Sequence, residues 1–197
     1  MTGGGTGTLF LVVGPSGAGK DTLLAGARAA LAEAPDFVFP RRFVTRPADA
    51  GGEDHIPIAA GDFEVRAARG AFLASWHAHG LAYALPVEIA EDLRAGRHVV
   101  VNVSRGVVGP LGARHPRTLV IHVTAAPSAL RGRLAGRARE SAADVEARLA
   151  RAAPVAGAEG RLVEIRNDGT VAEGVAAMLE TLLSARRTPP GRSGAPA

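Results

Sequence analysis

Residues 8–13 (TLFLVV) form an unbroken apolar run that stops at a glycine, the pattern of a strand buried on both faces of a parallel sheet. After a glycine-rich stretch, Leu23, Leu24, Ala27 and Leu31 return at helical spacing. That predicts a helix from Lys20 to about Glu33, ended by Pro35. Strand-like runs follow at 38–44, 71–76, 97–103, 117–124 and 161–166. Helical patterns lie between them at 60–69, 86–95, 127–153 (with a break near 138–141) and 170–186. In the last, Val171, Val175, Met178, Leu179, Leu182 and Leu183 make one apolar stripe. Strands alternating with helices predict an α/β fold: a parallel sheet covered by helices on both faces. The leading MTGGGTG and the closing TPPGRSGAPA (188–197) have the composition of flexible ends, leaving 1–187 as a single domain.

Composition narrows the class. A chain of 197 residues with 47% hydrophobic and 21% charged residues is expected to fold as one globular domain, and no apolar run reaches the length of a membrane span. There is no secretion-signal pattern and no cysteine, so a cytoplasmic protein without disulfides or cysteine-bound metal is expected. The net charge of +4 admits a nucleic-acid partner. With only 4% aromatic residues and no basic–aromatic interleaving, phosphorylated small molecules explain the same excess better.

The charge also has a peculiar distribution. Lys20 is the only lysine, every other basic side chain apart from histidine being arginine, and it stands inside GPSGAGKDT (14–22). This is the GxxxxGK pattern of a phosphate-binding loop, placed between a predicted strand and a predicted helix. Gly14, Pro15, Ser16, Gly17, Ala18 and Gly19 would turn successive N–H groups toward a β-phosphate at the helix N-terminus, with Lys20 reaching the β- and γ-phosphates. A compact ammonium fits such a ring of amides and a planar guanidinium does not. ATP with magnesium is therefore the expected cofactor pair. Asp21 follows the lysine where a Ser or Thr usually holds the metal, so Asp21 and Thr22 are the candidate magnesium ligands. The run VVVNV (99–103) carries Asn102 near its end and no acid to order a hydrolytic water, which favours a transferase over a motor.

Residues 131–152 carry Arg131, Arg133, Arg137, Arg139 and Arg148. Clustered guanidinium groups late in a phosphate-loop domain suit a mobile lid that neutralises a transferring phosphoryl group and excludes water. Arg133, Arg137 and Arg148 join Lys20 as catalytic candidates. Glu140, Asp144 and Glu146 in the same stretch offer the competing reading of a solvated helix face.

These motifs resemble the guanylate kinase group of P-loop kinases over about residues 8–185. The loop GPSGAGK, Arg46 in FVTRP, FLASWHA (72–78), Tyr83-Ala84 and a lid running from Arg133-Leu134 to Arg137 and Glu140 carry the likeness. The departures matter as much. Where that group reads guanine with an acid, a hydroxyl and strand-end aspartates, this chain has Ser75, Leu85, Asn102 and Ser104. Losing partners for a base edge removes discrimination for it, so poor phosphorylation of GMP is expected.

The segments TRPADAGGEDH (45–55), WHAHGLAY (76–83) with Pro86, VNVSR (101–105) and the GKD loop are instead similar to the ribose 1,5-bisphosphate phosphokinase family. The resemblance implies ATP-dependent conversion of ribose 1,5-bisphosphate to 5-phospho-α-D-ribose 1-diphosphate (PRPP), in alkylphosphonate use. Its acceptor segment would span about 38–86 and its partner would be a phosphorylated sugar, not a membrane or a nucleic acid, with a homodimer as the assembly considered. On this reading Arg42, Arg46 and Arg105 bind acceptor phosphates, and His79, Tyr83 and Asn102 bind the sugar or its phosphates. His77 and His79 are read as sharing a strand face, with His55 upstream and no carboxylate or cysteine at metal-ligand spacing. Trp76 is read as core. A guanylate-kinase-like nucleoside monophosphate kinase and a non-catalytic interaction module are the alternatives.

Overall fold

A computed structural model of the chain describes residues 6–49, 53–126, 129, 158 and 161–187. Five parallel strands form the main sheet: β1 (Leu9–Val13), β2 (Phe37–Val38), β7 (His98–Asn102), β8 (Thr118–Thr124) and β9 (Leu162–Arg166), in the order β2-β7-β1-β8-β9. The central strand β1 is buried at every position. Its unbroken apolar run follows from covering on both sides. Leu9, Leu11 and Val13 pack with Ile89, Leu93 and Leu111, from α3 (Ile89–Arg94) and α4 (Val108–Arg114). Phe10 and Val12 pack on the other face with Leu23, Ala27, Met178 and Leu182, from α1 (Lys20–Ala30) and α5 (Val171–Arg187). Helices α1 and α5 touch so closely that a Cβ on Gly26 would stand 2.4 Å from the Val175 side chain.

Between β2 and β7 the chain builds a second, smaller sheet in the order β4-β3-β6-β5. Its strands are β3 (Phe43–Val44), β4 (Ile56–Pro57), β5 (Phe72–Ala78) and β6 (Leu81–Pro86), with β3 parallel to β4 and β6 antiparallel to both β3 and β5. Helix α2 (Ala60–Ala68) seals one face through Phe63, which packs with Ala82, Ala84, Phe43 and Phe72.

The parallel sheet covered on both faces agrees with the sequence pattern, whereas the small sheet differs in detail. The run 38–44 is not one strand: β2 pairs in the main sheet and β3 in the small one, with Pro40, which has no N–H to donate, between them. Pro86 closes β6 rather than opening a helix, and α3 begins at Ile89. Strands β4 and β6, helix α4 and a 3₁₀ turn at Arg105–Val107 escape the pattern because each is short or interrupted. The stretch 131–152, with its lid arginines, and the tail 188–197 lie outside the described residues. No helix among the described residues is long and apolar enough to cross a membrane.

Candidate active site

The loop leaves β1 at its C-terminal end, between neighbours β7 and β8, where the chain's strand order reverses direction. Crevices at such points are where open α/β sheets bind ligands. Gly14 has φ 149°, and a Cβ there would lie 2.1 Å from the carbonyl oxygen of Val123. Gly17 and Gly19 also have positive φ, and Gly19 caps α1 in the left-handed conformation. Lys20 Nζ donates to the carbonyl oxygens of Gly14 and Pro15, both at 2.8 Å. One tether comes from far along the chain. The buried Asn167, just beyond β9, donates from Nδ2 to the Ala18 carbonyl at 2.8 Å, while its own N–H donates to Thr124. Asn167 has no signal in the sequence, because a lone asparagine after a strand is indistinguishable from a turn residue. With Val171 and loop residues 16, 17 and 19–22, including Thr22, it lines a cavity of about 350 Å³ above the loop.

On the other side of Lys20 opens a cleft of about 460 Å³. It brings together Gly14, Pro15, Ser16, Lys20 and Asp21 from the loop side with Arg42, Arg46, His79, Tyr83, Asn102 and Arg105. All six side chains assigned to an acceptor thus share one cavity with the phosphate loop, although they come from three separate chain segments. Asn102, paired with Val12 of β1, donates from Nδ2 to Asp21 Oδ1 at 2.9 Å. Asp21 and Thr22 are hard oxygen donors beside the lysine, a set that fits magnesium.

Arg42 is held differently from the other arginines. Its Nε and Nη2 engage both carboxylate oxygens of Glu53, and Nη1 donates to the Asn102 carbonyl at 2.9 Å. Its guanidinium lies 5.1 Å from the Tyr83 ring centre and 5.7 Å from that of Trp76. The two rings are themselves stacked 8° from parallel. Arg42 therefore braces the cleft lining. Arg46 has no carboxylate partner among the described residues, and its Nη2 stands 3.3 Å from His55 Nδ1. His55, buried, ties both ends of the 46–55 loop, its Nε2 at 3.0 Å from the Arg46 carbonyl and its Nδ1 at 2.9 Å from the Glu53 carbonyl. Burial pushes the Tyr83 phenol above its ordinary pKa; Arg42 and Arg46 oppose that, while Glu53 and Asp21 add to it. Tyr83 thus stays a protonated donor at neutral pH.

Three sequence expectations change. Trp76 is not simply core: it packs against the main core on one side and lines the cleft on the other. Ser75 lies on the opposite face of β5 from Trp76 and Ala78, exposed and outside the cleft, so the missing acid at that position removes no contact from it. His79 and His77 do not share a strand face. His77 reaches Glu64 on α2 at 3.3 Å, whereas His79 (φ 53°) and Gly80 (φ 73°) form the tight turn between β5 and β6. Both turn residues having positive φ is the signature of a type I′ hairpin. Glu53, which has no motif of its own in the sequence, also lines the cleft.

A phosphate loop at the central strand of a covered parallel sheet, facing an inserted sheet that presents arginines to it, defines a P-loop kinase. The crystal structure of guanylate kinase from Anaplasma phagocytophilum has the same fold, with a TM-score of 0.66 at 13% identity over 92% of this chain and 87% of that one. Ribose 1,5-bisphosphate phosphokinase PhnN of Acidiphilium cryptum is 51% identical over 93% of this chain and 97% of its own length. The chain belongs to the ribose 1,5-bisphosphate phosphokinase family. The bifunctional ribose 1,5-bisphosphokinase-thymidine phosphorylase of Roseobacter denitrificans is 48% identical over 91% of this chain, which spans 26% of that longer protein. No family model matches the chain.

Proposed function

We propose that the chain transfers the γ-phosphoryl group of ATP to the C1 phosphate of ribose 1,5-bisphosphate, giving PRPP and ADP. The observation that carries this reading is the single cleft in which Lys20 and the loop meet Arg42, Arg46 and Arg105. An oxygen of the C1 phosphate attacks the γ-phosphorus while the bond to the β–γ bridging oxygen breaks and ADP departs. The attacking oxygen is anionic near neutral pH, as a phosphate's second pKa lies near 6. It needs no general base, and the obstacle is repulsion between two polyanions.

Each residue then has a physical task. The loop amides and Lys20 hold the β- and γ-phosphates. Asp21 and Thr22 would hold magnesium, whose charge offsets that of the phosphates. Asn102 keeps Asp21 oriented through the 2.9 Å hydrogen bond. Arg46 and Arg105 take the acceptor's phosphates; Arg42, already engaged by Glu53 and the Asn102 carbonyl, braces the cleft lining. His79 and Tyr83 contribute donors to the sugar or its phosphates, and Arg133, Arg137 and Arg148 would offset the charge of the transferring group.

The test follows ADP release with ATP, magnesium and either ribose 1,5-bisphosphate or GMP. Turnover with the sugar and little with GMP is expected. Strong turnover with GMP and none with the sugar overturns the acceptor assignment.

A further inference from the structure

We infer that Glu53 is the specificity residue for the pentose, its carboxylate accepting hydrogen bonds from the ring hydroxyls. This rests on the acceptor being a phosphorylated sugar, as proposed above. Among the described residues lining the cleft two are acidic, Asp21 and Glu53. Asp21 adjoins Lys20 and is held by Asn102, on the side where phosphoryl transfer takes place. Glu53 stands on the acceptor side, where a bare carboxylate would repel a bisphosphate.

Two features make it useful there. Its charge is balanced by the fork of Arg42, and its side chain is 20% exposed, so it meets the cleft without presenting an unpaired negative charge. An ionised carboxylate has about four lone-pair sites; Oε2 already accepts from both Nε and Nη2 of Arg42, whereas Oε1 accepts from Nη2 and has a second site for a hydroxyl. A pair of this kind has acceptor capacity left and is hostile to further anions. It therefore selects neutral O–H donors over phosphate oxygens. A cation at those lone pairs would have to face Arg42, and no cluster of three metal-ligating side chains occurs among the described residues.

The group is also fixed before any sugar arrives. His55 holds the Glu53 carbonyl at 2.9 Å, and Arg42 is clamped by the Asn102 carbonyl and by the Trp76–Tyr83 stack. Preorganisation of this sort is what lets a polar site discriminate strongly, because an analogue lacking the hydroxyl leaves a desolvated acceptor unpaired. Ribose offers two vicinal hydroxyls on one ring face, and 2-deoxyribose offers one fewer.

The experiment compares kcat/KM for ribose 1,5-bisphosphate and 2-deoxyribose 1,5-bisphosphate in the unaltered enzyme and in Glu53→Gln. The unaltered enzyme should prefer ribose by about 10²-fold or more, and Glu53→Gln should shrink that preference at least about tenfold. The ratio does not depend on how much of the variant is folded. A residue that merely holds Arg42 would lower both substrates alike and leave it unchanged. An unchanged ratio in the variant, or equal use of both sugars by the unaltered enzyme, overturns the inference while leaving the kinase reading intact. No turnover of either sugar by the unaltered enzyme refutes the kinase reading and this inference with it.

Discussion

The phosphate loop and the acceptor sheet face each other across one cleft, yet the first works through main-chain groups and the second through side chains. The loop's shape comes from three glycines with positive φ and from the end of a buried strand, so its binding groups are N–H vectors that any sequence with that backbone would present. The opposite side of the cleft is assembled from Arg42, Arg46, Glu53, Trp76, Tyr83, Asn102 and Arg105, drawn from loops as well as strands and held by hydrogen bonds and ring contacts. A backbone site tolerates change around it and fixes a common ligand, phosphate. A side-chain site can be re-cut one residue at a time, and the proposed function puts acceptor choice there.

The sharpest way to test that division is to remove the cationic side chain that the loop itself carries. Lys20→Ala should lower kcat by about 10³-fold or more, by analogy with other charge-stabilising groups in phosphoryl transfer, with little change in KM for the sugar. Lys20→Arg should do nearly as badly. The ammonium lies 2.8 Å from both the Gly14 and Pro15 carbonyls, a spacing that a planar guanidinium does not fit. Steady-state kinetics with each substrate varied in turn checks both. A large rise in the sugar's KM would mean that the two walls are not separable.

The same division explains what could be read from the amino-acid sequence. The main sheet, its flanking helices and the loop were legible because their signals are local: apolar runs of strand length, helical stripes, and a glycine pattern in the right context. The small sheet was only half legible. Strands as short as β3 and β4 have no periodicity to read, and Pro86 signalled a helix start where it ends a strand. The six side chains expected to bind an acceptor came from resemblance and chemistry together, and they line one cleft. Glu53 and Asn167 escaped because each works through a partner remote in the chain. Glu53 pairs with Arg42 and Asn167 with Ala18, contacts that exist only once the fold has brought the segments together.

Asn167 offers a smaller and more selective perturbation. It ties the loop to the strand at the far edge of the main sheet, so Asn167→Ala should leave the Ala18 carbonyl buried and unpaired. A lost buried hydrogen bond costs about 1–3 kcal/mol. The loop's conformation, not its chemistry, would bear that cost. KM for ATP should rise roughly tenfold while KM for the sugar and discrimination between sugars stay constant, as two-substrate kinetics would register. Equal changes in both KM values would place Asn167 in support of the whole cleft.

The smallest effect expected concerns pH, and it separates the main sheet from the acceptor sheet by stability rather than by rate. His98 on β7, His115 just after α4 and His122 on β8 all belong to the main-sheet body, and burial holds each below the ordinary histidine pKa. For His98, Asp36 opposes the shift while Arg117 and Arg186 deepen it; Arg105 and Lys20 do the same for His122, against Glu164. His98 Nδ1 accepts the Thr8 N–H at 3.1 Å, a bond that exists only when that nitrogen is unprotonated. In the unfolded chain these imidazoles take up protons as pH falls through about 6.5, whereas in the native state they resist until lower pH. The unfolded state then binds more protons, so stability is full above about 6.5 and declines below it. Thermal denaturation should show Tm falling by a few degrees between about pH 7 and 5.5. His98→Asn keeps an acceptor for Thr8 and cannot titrate, so its Tm should fall less over the same interval. An identical slope would remove His98 from the account and leave the decline to His115, His122 and the carboxylates.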